Sequence, residues 1–285
     1  MRSRQLGASL KRYREAAKLD QQHAADHIAG SKTKISRMET GQVSARPGDV
    51  RLLLELYGVE DHAVQIELEQ LARESNKRGW WLNFPWARKR PGFSDFATLE
   101  TDATYIRTWQ PLFIPGLLQT DDYIRTLVAQ SLSVQAPGAV EESVAIRQTR
   151  RKFIAEGGSQ FAAVIWEPAL TAPMPSPRVH REQLLHITEV AQQQNISIQV
   201  LPLTEWRAAH LSPHFTMLSL GAEPASEVVA YDTTMSTVLL ESLEDMAVHA
   251  KIFESLRSAA LTPDQSLAFI RQTLKDIPAD AKEAE

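Results

Sequence analysis

Residues 31–41, SKTKISRMETG, carry hydroxyl and cationic side chains at the spacing of a helix. At about 100° per residue, Thr33 and Arg37 point to one side, whereas Ile35 and Met38 point to the opposite side. Hydroxyl and guanidinium groups donate hydrogen bonds to phosphate oxygens, and an arginine can bind the edge of a guanine with two of them. Such a face could contact nucleic acid, but a surface helix with one solvated side has the same pattern, so the interpretation depends on the elements around it.

The ends of this short helix are also marked in the sequence. Ser31 is a suitable N-cap, and Gly41 stands where a left-handed helix stop is needed. Lys32 and Lys34 flank the outer face, to which Ser36 also belongs. A helix this short is not stable alone, so neighbouring helices must position it.

Four further helices are predicted around it within residues 1–76. The inward residues of the first helix recur at i, i+4, i+7 and i+11: Leu6, Leu10, Tyr13 and Ala17. Asp20 can cap a second helix, Pro47 suits the first position of a fourth, and residues 61–75 have the pattern of a fifth. Because a short turn separates the second and third helices, we expect an all-α unit with a helix-turn-helix arrangement.

Composition limits the class of protein. The chain has 285 residues and 43% hydrophobic content, with no cysteine, which excludes disulfides and cysteine-ligated zinc. It has no apolar run of about 18 residues, and its N-terminus lacks the apolar core of a secretory signal. We therefore expect a cytoplasmic protein with no membrane partner.

Charge is distributed unevenly along the chain. Residues 1–51 contain 11 Lys and Arg against 5 Asp and Glu, a net charge of +6, whereas the remainder carries −10. Such asymmetry is typical of a chain with one nucleic-acid-binding end. The acidic balance after residue 51 disfavours contact of that part with DNA.

The helical pattern breaks at residues 77–97, an aromatic and basic junction. Trp80, Trp81 and Trp86 alternate there with prolines, glycines and basic residues. Such aromatic side chains can stack on unpaired bases, but we prefer packing at a fixed contact between two domains.

Residues 98–285 predict a mixed α/β domain, which gives the whole chain an α+β fold class. Five β-rich runs have the length of strands: 161–170, 196–203, 214–220, 227–233 and 236–242. Helical patterns cover 141–156, 180–194, 244–260 and 263–276. The segment LETDATYIRTWQP is compatible with a helix or a strand, and we expect a curved sheet.

Residues 6–58 resemble the DNA-binding domain of the phage-repressor-like (XRE-type) regulators. The matching segments are LGASLKRYREAAKL, DQQHAADHI and SKTKISRMETG. The resemblance implies that the third helix is a recognition helix in the major groove of double-stranded DNA. It implies contacts with DNA by the following residues: Gln21, Ser31, Lys32, Thr33, Lys34, Ser36, Arg37, Gln42 and Arg46.

These contacts have different expected roles. Thr33 and Arg37 match positions that face the bases, and Ser31 and Lys32 match the start of the recognition helix. Gln21 matches a phosphate contact at the second helix, and Gln42 and Arg46 fall in a loop that touches the backbone. We expect Lys32 and Lys34 to supply salt-dependent affinity.

The same resemblance implies a structural role for two residues of the unit, and the chain differs from the family pattern at one place. Arg14 and Glu39 match an internal ion pair that ties the first helix to the third. The turn before the third helix reads IAGS, whereas the family usually has a glycine, a large residue and a serine. This exchange leaves less packing in the turn and bears on the tilt of the third helix.

Segments of the second half resemble a family of actinobacterial regulators that includes the WhiJ-like developmental proteins. They include, in this order, WQPLFIPGLLQTDDYIR, VIWEPAL, REQLLHI and NISIQVLPL. The resemblance implies control of development or antibiotic production, association with the nucleoid, and a small partner protein encoded nearby. The alternative is an antitoxin-like protein that mainly holds that partner. Because single XRE domains bind DNA weakly, we expect a homodimer with its recognition helices one duplex turn apart.

We do not expect an enzyme. Five acidic or histidine residues lie in or beside the strand-like runs: Glu167, His210, His214, Asp232 and Glu241. In HLSPH, however, Pro213 breaks the helical context of a zinc pair. The chain has no nucleophile elbow, Gly-rich phosphate loop or dinucleotide fingerprint. We expect a sensing or partner-binding domain with no metal and no cofactor.

Overall fold

The computed structural model describes residues 2–41, 45–75, 79–130, 138–172, 176–221, 226–233 and 235–278. The chain divides into a first unit, Met1–Gly79, and a second unit, Trp80–Glu285. The predicted fold class is confirmed, because a helical helix-turn-helix region precedes a mixed α/β region with a six-stranded sheet.

The described part of the first unit contains the five predicted helices. They are α1 (Arg2–Ala16), α2 (Gln21–His27), α3 (Lys32–Glu39), α4 (Pro47–Leu56) and α5 (His62–Ser75). The Asp20 side chain caps α2 by accepting from the amides of Gln22 and His23. These hydrogen bonds lower the pKa of the Asp20 carboxyl, His23 contributing most. All five helices contribute to one core, which includes Leu6, Leu10, Ala24, Ile35, Leu53 and Leu68.

The second unit alternates helices and strands. Its helices are α6 (Pro85–Lys89), α7 (Phe93–Asp102), α8 (Asp121–Ala129), α9 (Ala139–Arg151), α10 (Glu167–Thr171), α11 (Pro177–Val190), α12 (Trp206–Ala209), α13 (Leu243–Ala259) and α14 (Pro263–Asp276). Its strands are β1 (Ala103–Gln110), β2 (Gln160–Trp166), β3 (Ile196–Leu201), β4 (Phe215–Leu220), β5 (Ser226–Asp232) and β6 (Thr237–Leu240). The segment LETDATYIRTWQP, which was compatible with a helix or a strand, begins as the end of α7 and continues as β1, which starts directly after Asp102.

The strands form one mixed sheet in the order β3-β2-β1-β4-β5-β6. β1 pairs in parallel with β2 and β2 with β3, whereas β4, β5 and β6 continue the sheet with antiparallel pairs. The first strand is therefore central and meets both kinds of neighbour.

One face of this sheet packs against α13. Side chains from the sheet and the helix form a buried cluster that includes Trp109, Val164, Phe215, Met217, Phe253 and Leu256. The Trp109 ring also donates a hydrogen bond from Nε1 to the carbonyl of Ser212 at 3.0 Å. Residues that alternate with Trp109 along β1, namely Ile106 and Thr108, lie on the other face and line a cavity.

From Trp80 onward, the aromatic residues of segment 77–97 belong to the second unit. The Trp80 ring lies 6.0 Å from Trp81, 5.8 Å from Phe84 and 6.2 Å from Phe153, measured between centroids. Trp80, Trp81, Phe84 and Trp86 pack against a buried cluster of Ala87, Phe93, Ala97 and Ile146. Contacts with apolar side chains of α7 and α9 hold these rings in place, because the contacts remove apolar surface from water.

Candidate nucleic-acid interface

The turn between α2 and α3 is closed by two main-chain hydrogen bonds. Ala29 donates to the carbonyl of Asp26 at 3.2 Å, and Gly30 donates to that of Ala25 at 2.8 Å. This pattern is a Schellman motif, which requires a left-handed residue after the helix. Ala29 occupies that position with φ of 48°, so an alanine adopts the conformation that glycine favours.

An Ala29→Gly variant is expected to stabilise the first unit by about 1 kcal/mol, because it relieves the left-handed strain of a side chain. Hydrogen exchange of the full-length protein, measured by mass spectrometry in peptides from α2 and α3, reports the free energy of opening. A matched Ala17→Gly variant, outside this turn, is expected not to stabilise. Slower hydrogen exchange in the Ala17→Gly variant than in the Ala29→Gly variant would contradict the assignment of strain to Ala29.

The third helix has one buried and one exposed side. Ile35 and Met38 are 1% and 2% exposed, whereas Lys32, Thr33 and Arg37 are exposed. Thr33 and Arg37 lie on the side opposite the anchor residues, and Lys32 flanks that side, all within two turns of one helix.

The ends of α3 are formed as the sequence predicts. The Ser31 hydroxyl accepts a hydrogen bond from the amide of Lys34 at 3.1 Å and so serves as the N-cap. Gly41 follows the helix with φ of 70°, the left-handed conformation of a helix stop. Ser36 is partly buried, so its hydroxyl is less accessible than that of Thr33.

Two of the predicted DNA contacts are engaged within the first unit. The Lys34 ammonium lies 2.7 Å from a carboxylate oxygen of Asp49 on α4. Gln21 donates from Nε2 to Oε2 of Glu39 at 2.9 Å. Both side chains therefore help to join helices, and a contact with DNA would compete with these hydrogen bonds.

The loop after α3 supplies one described candidate. Arg46 is exposed at the N-cap position of α4, where its side chain makes no capping hydrogen bond. Gln42 lies outside the described residues. Within the part of the chain that the structure describes, the Arg46 guanidinium forms no hydrogen bond or ion pair, and its exposure is compatible with a phosphate contact.

A buried ion pair fixes α3 against α1. Arg14 donates from Nε to Oε1 of Glu39 at 2.6 Å and from Nη2 to Oε2 at 3.0 Å. Its Nη1 donates to the carbonyl of Leu19 at 2.8 Å. The Arg14 and Glu39 side chains are only 9% and 3% exposed, and the hydrogen bond from Arg14 to Glu39 raises the pKa of Arg14. The pair positions α3 against α1, and its two side chains are engaged with each other inside the first unit.

Gly7 allows the closest approach between α1 and α3, a feature that sequence reasoning missed. A Cβ atom on Gly7 would lie 2.3 Å from the carbonyl oxygen of Met38 and 2.6 Å from that of Glu39. Only a residue without a side chain fits at this contact. The signal was a glycine inside the amphipathic pattern of the first helix, where glycine otherwise lowers helix stability.

Comparison with known families matches both parts of the chain. A family model described as a helix-turn-helix domain matches residues 5–65. A second family model, described as a domain of unknown function (DUF5753), matches residues 93–272, more than half of the chain. The chain belongs to the DUF5753 family. No curated protein and no solved structure matches it.

The helix-turn-helix match supports a DNA-binding regulator in general terms. It covers α1 from residue 5 onward and all of α2, α3 and α4, and hence the exposed face of α3 and the ion pair between Arg14 and Glu39. Within the ranges described above, no helix of this DUF5753 protein is long and apolar enough to cross a membrane.

The acidic and histidine residues of the DUF5753 region are distributed over separate elements. Glu167 begins α10 and accepts a hydrogen bond from the amide of Leu203 at 2.7 Å. His210 follows α12 and lies beside the Trp206 ring, and Glu241 follows β6. Among the residues that the structure describes, no group of three or more His, Cys, Asp or Glu side chains is placed to hold a metal ion.

His214 and Asp232 do meet, at the cavity beside the sheet. His214 donates from Nε2 to the main-chain carbonyl of Asp232 at 2.7 Å. The Asp232 carboxylate accepts from Arg90 at 2.6 Å and from the Thr237 hydroxyl at 3.0 Å. This carboxylate is thus held by its neighbours and does not orient the imidazole.

Proposed function

We propose that this DUF5753 protein is a sequence-specific transcriptional regulator whose α3 enters the major groove of double-stranded DNA. The observation that carries the proposal is the exposure of Lys32, Thr33 and Arg37 on a helix whose opposite side is anchored by Ile35 and Met38. In a helix-turn-helix domain, the second helix of the motif presents its exposed side chains to base edges.

The exposed residues have distinct proposed roles. Arg37 reads a base, since a bidentate arginine–guanine contact contributes about 1–3 kcal/mol of discrimination. Thr33 contacts a base edge or a thymine methyl group on the same face. Lys32 and Arg46 bind phosphates and supply affinity that falls with salt. Lys34 contributes less than the sequence predicts because Asp49 already neutralises it.

The proposal includes a homodimer on a two-fold symmetric operator. A dimer places two copies of α3 one duplex turn apart, and the contacts of the two half-sites then add. The support is the limited size of one α3 face and the resemblance to XRE-type regulators. The resemblance to WhiJ-like proteins extends the proposal to development or secondary metabolism, with the protein on the nucleoid.

The second unit has a proposed binding role and not a catalytic one. Its buried acidic side chain at the cavity, Glu100, is paired with Arg150, and Asp232 is paired with Arg90. The oxygens of these carboxylates are occupied by hydrogen bonds from the arginines, which leaves them poorly placed to act as general bases.

An Arg37→Ala variant is expected to lose tenfold or more of its affinity for the operator while its affinity for random DNA changes little, because it removes a base contact. Fluorescence anisotropy with a labelled fragment from upstream of the gene, titrated at several salt concentrations, measures both affinities. A Lys32→Ala variant should instead weaken both and reduce the salt slope by about 1.

Arg51→Ala is the matched control for this experiment. Arg51 is also an exposed arginine of the first unit, but it binds Glu69 on α5. Its removal is expected to leave the affinity for operator DNA nearly unchanged. Equal losses in the Arg37 and Arg51 variants, or a wild-type protein that does not discriminate operator from random DNA, would reject readout by α3.

A further inference from the structure

A cavity of about 840 Å³ lies on the face of the second unit's sheet that α13 does not cover. The sheet contributes Ile106, Thr108 and Thr216, α7 contributes Phe96, and α9 contributes Arg147. Its volume is in the range of cavities that bind compounds of drug size, which combine apolar walls with a few convergent polar groups.

Three arginines line this cavity, and two of them have carboxylate partners. Arg150 donates from Nε and Nη2 to the two oxygens of Glu100 at 2.6 and 2.8 Å. Arg90 donates to Asp232 at 2.6 Å. These two pairs account for both carboxylates that line the cavity.

Arg147 has no such partner. Its Nε donates to the amide oxygen of Gln119 at 2.9 Å, and this is the one hydrogen bond of its guanidinium to any described residue. No described carboxylate lies within 4.0 Å of it. Gln119 is itself buried and donates to the carbonyl of Ile114, so its amide gives Arg147 a neutral contact and no counter-charge.

The surroundings of Arg147 disfavour its charge. Burial and the positive charges of Arg150 and Arg90 lower the pKa of Arg147 to about 10, and the more distant carboxylates of Asp232 and Glu100 offset only part of this shift. The guanidinium still carries its charge near neutral pH. Arg147 is partly buried and has no carboxylate in contact with it among the described residues. A charge in this position is costly, and an anion beside it would offset that cost.

The apolar part of the wall lies close to the same group. Phe93 and Phe96 are buried, as is Ile106 on the sheet, whereas Leu112 and Phe113 are exposed. All five line the cavity. An apolar body in the cavity would therefore cover apolar surface that is in contact with water, which belongs mainly to Leu112 and Phe113.

We propose that the cavity binds a small organic anion, with its carboxylate, sulfonate or phosphate group on Arg147 and its apolar body on the apolar wall, chiefly against Leu112 and Phe113. A bulky inorganic anion alone would satisfy the charge but leave the apolar wall uncovered. A neutral apolar compound would do the reverse. The ligand class thus needs both parts, and this site is separate from the DNA-binding role proposed for α3.

The test compares two fluorescent probes of the same ring skeleton on the full-length protein. Anilinonaphthalene sulfonate is anionic, and phenylnaphthylamine is its neutral counterpart. We expect the anionic probe to bind about tenfold or more tightly than the neutral one, the ratio that one charge-assisted contact contributes. This comparison within the wild type needs no substitution.

Three variants locate the contact. Arg147→Met should weaken the anionic probe by about tenfold and leave the neutral probe within about threefold. Arg147→Lys keeps the charge and should retain most of the preference. Arg271→Met removes an exposed arginine from α14 and should change neither affinity.

Each alternative outcome overturns the proposal. Equal affinity of the two probes for the wild type, or no binding of the anionic probe, rejects an anion site. A loss of the same size in Arg147→Met and Arg271→Met assigns the preference to general surface charge. The DNA titration of the Arg37 variant is independent of all these results, so the failure of one proposal is distinguishable from the failure of the other.

Discussion

A Glu39→Ala variant is expected to lose about 3–5 kcal/mol of the stability of the first unit, and its DNA binding with it, because one partner of a buried ion pair is removed. The Arg14 guanidinium, 9% exposed, would keep the hydrogen bond to the carbonyl of Leu19 and a longer ion pair, at 3.7 Å, with the exposed Glu15. Gln21 would also lose its acceptor. Since α3 is held to α1 through this pair, the recognition helix would no longer be fixed.

The chain contains a matched control for this substitution. Arg51 and Glu69 form a pair with the same two-bond geometry, at 2.8 and 2.9 Å, but the Arg51 side chain is 60% exposed. Glu69→Ala also removes a contact with the exposed Arg73 at 3.4 Å, but it should cost much less, because both arginines that it leaves without a partner are exposed to water and salt. Hydrogen exchange in peptides from α1 to α4 of the full-length protein measures both losses.

A double variant separates the lost charge from the lost contact. Arg14→Met combined with Glu39→Met removes both charges, and we expect it to recover part of the stability that Glu39→Ala loses. If Glu39→Ala and Glu69→Ala accelerate exchange equally, burial does not determine the contribution of the pair.

A Gly7→Ala variant is expected to destabilise the first unit by about 3 kcal/mol, at the upper end of the cost of overpacking. The added methyl group would lie 2.3 and 2.6 Å from two carbonyl oxygens at the end of α3. Main-chain atoms inside a helix cannot give way as a flexible side chain can, so α1 and α3 must separate. The same hydrogen-exchange measurement reports this loss.

Gly48→Ala is the control, and its expected effect has the opposite sign. Gly48 is in α4, and an added Cβ atom would meet nothing within 4 Å. Alanine there should stabilise the helix by about 0.5–1 kcal/mol. If Gly7→Ala also stabilised, the close approach of α1 to α3 would be wrong, and so would the placement of the recognition helix.

The helices of the first unit were predictable because their information is local. The two faces of α3 follow from the spacing of Ile35 and Met38, and its N-cap follows from Ser31. The hydrogen bonds of Lys34 with Asp49 and of Gln21 with Glu39 join separate helices, so helical spacing alone does not predict them. Because these contacts between helices were not predictable, Lys34 and Gln21 were both expected to contact DNA.

The turn between α2 and α3 shows another limit of the sequence pattern. The unusual order of residues in IAGS was visible, but not which residue takes the left-handed conformation. The hydrogen bonds of the Schellman motif fix that residue as Ala29, one position before Gly30. Hydrophobic periodicity does not locate the end of a helix to within one residue, so it cannot predict which residue of the turn is left-handed.

In the second unit, strand-like runs were recognisable, whereas sheet order depends on pairing between distant segments. The arginines of α9 did carry a signal. Arg147 and Arg150 follow Ser143 and Ile146 at helical spacing, so they lie on the buried face of the helix. Cations on such a face indicate an interior site more specifically than the lone carboxylates and histidines do.

The central position of β1 has a consequence for the order of folding. Tyr105 pairs with Gln160 on one side, and Thr108 pairs with Thr216 on the other. During synthesis, β1 therefore keeps an unpaired edge until β4 has left the ribosome, long after the helices of the first unit are complete. Such an edge can pair with another chain. Nascent chains that stop before β4 should be prone to aggregation, and refolding of the sheet should be slower than that of the helices.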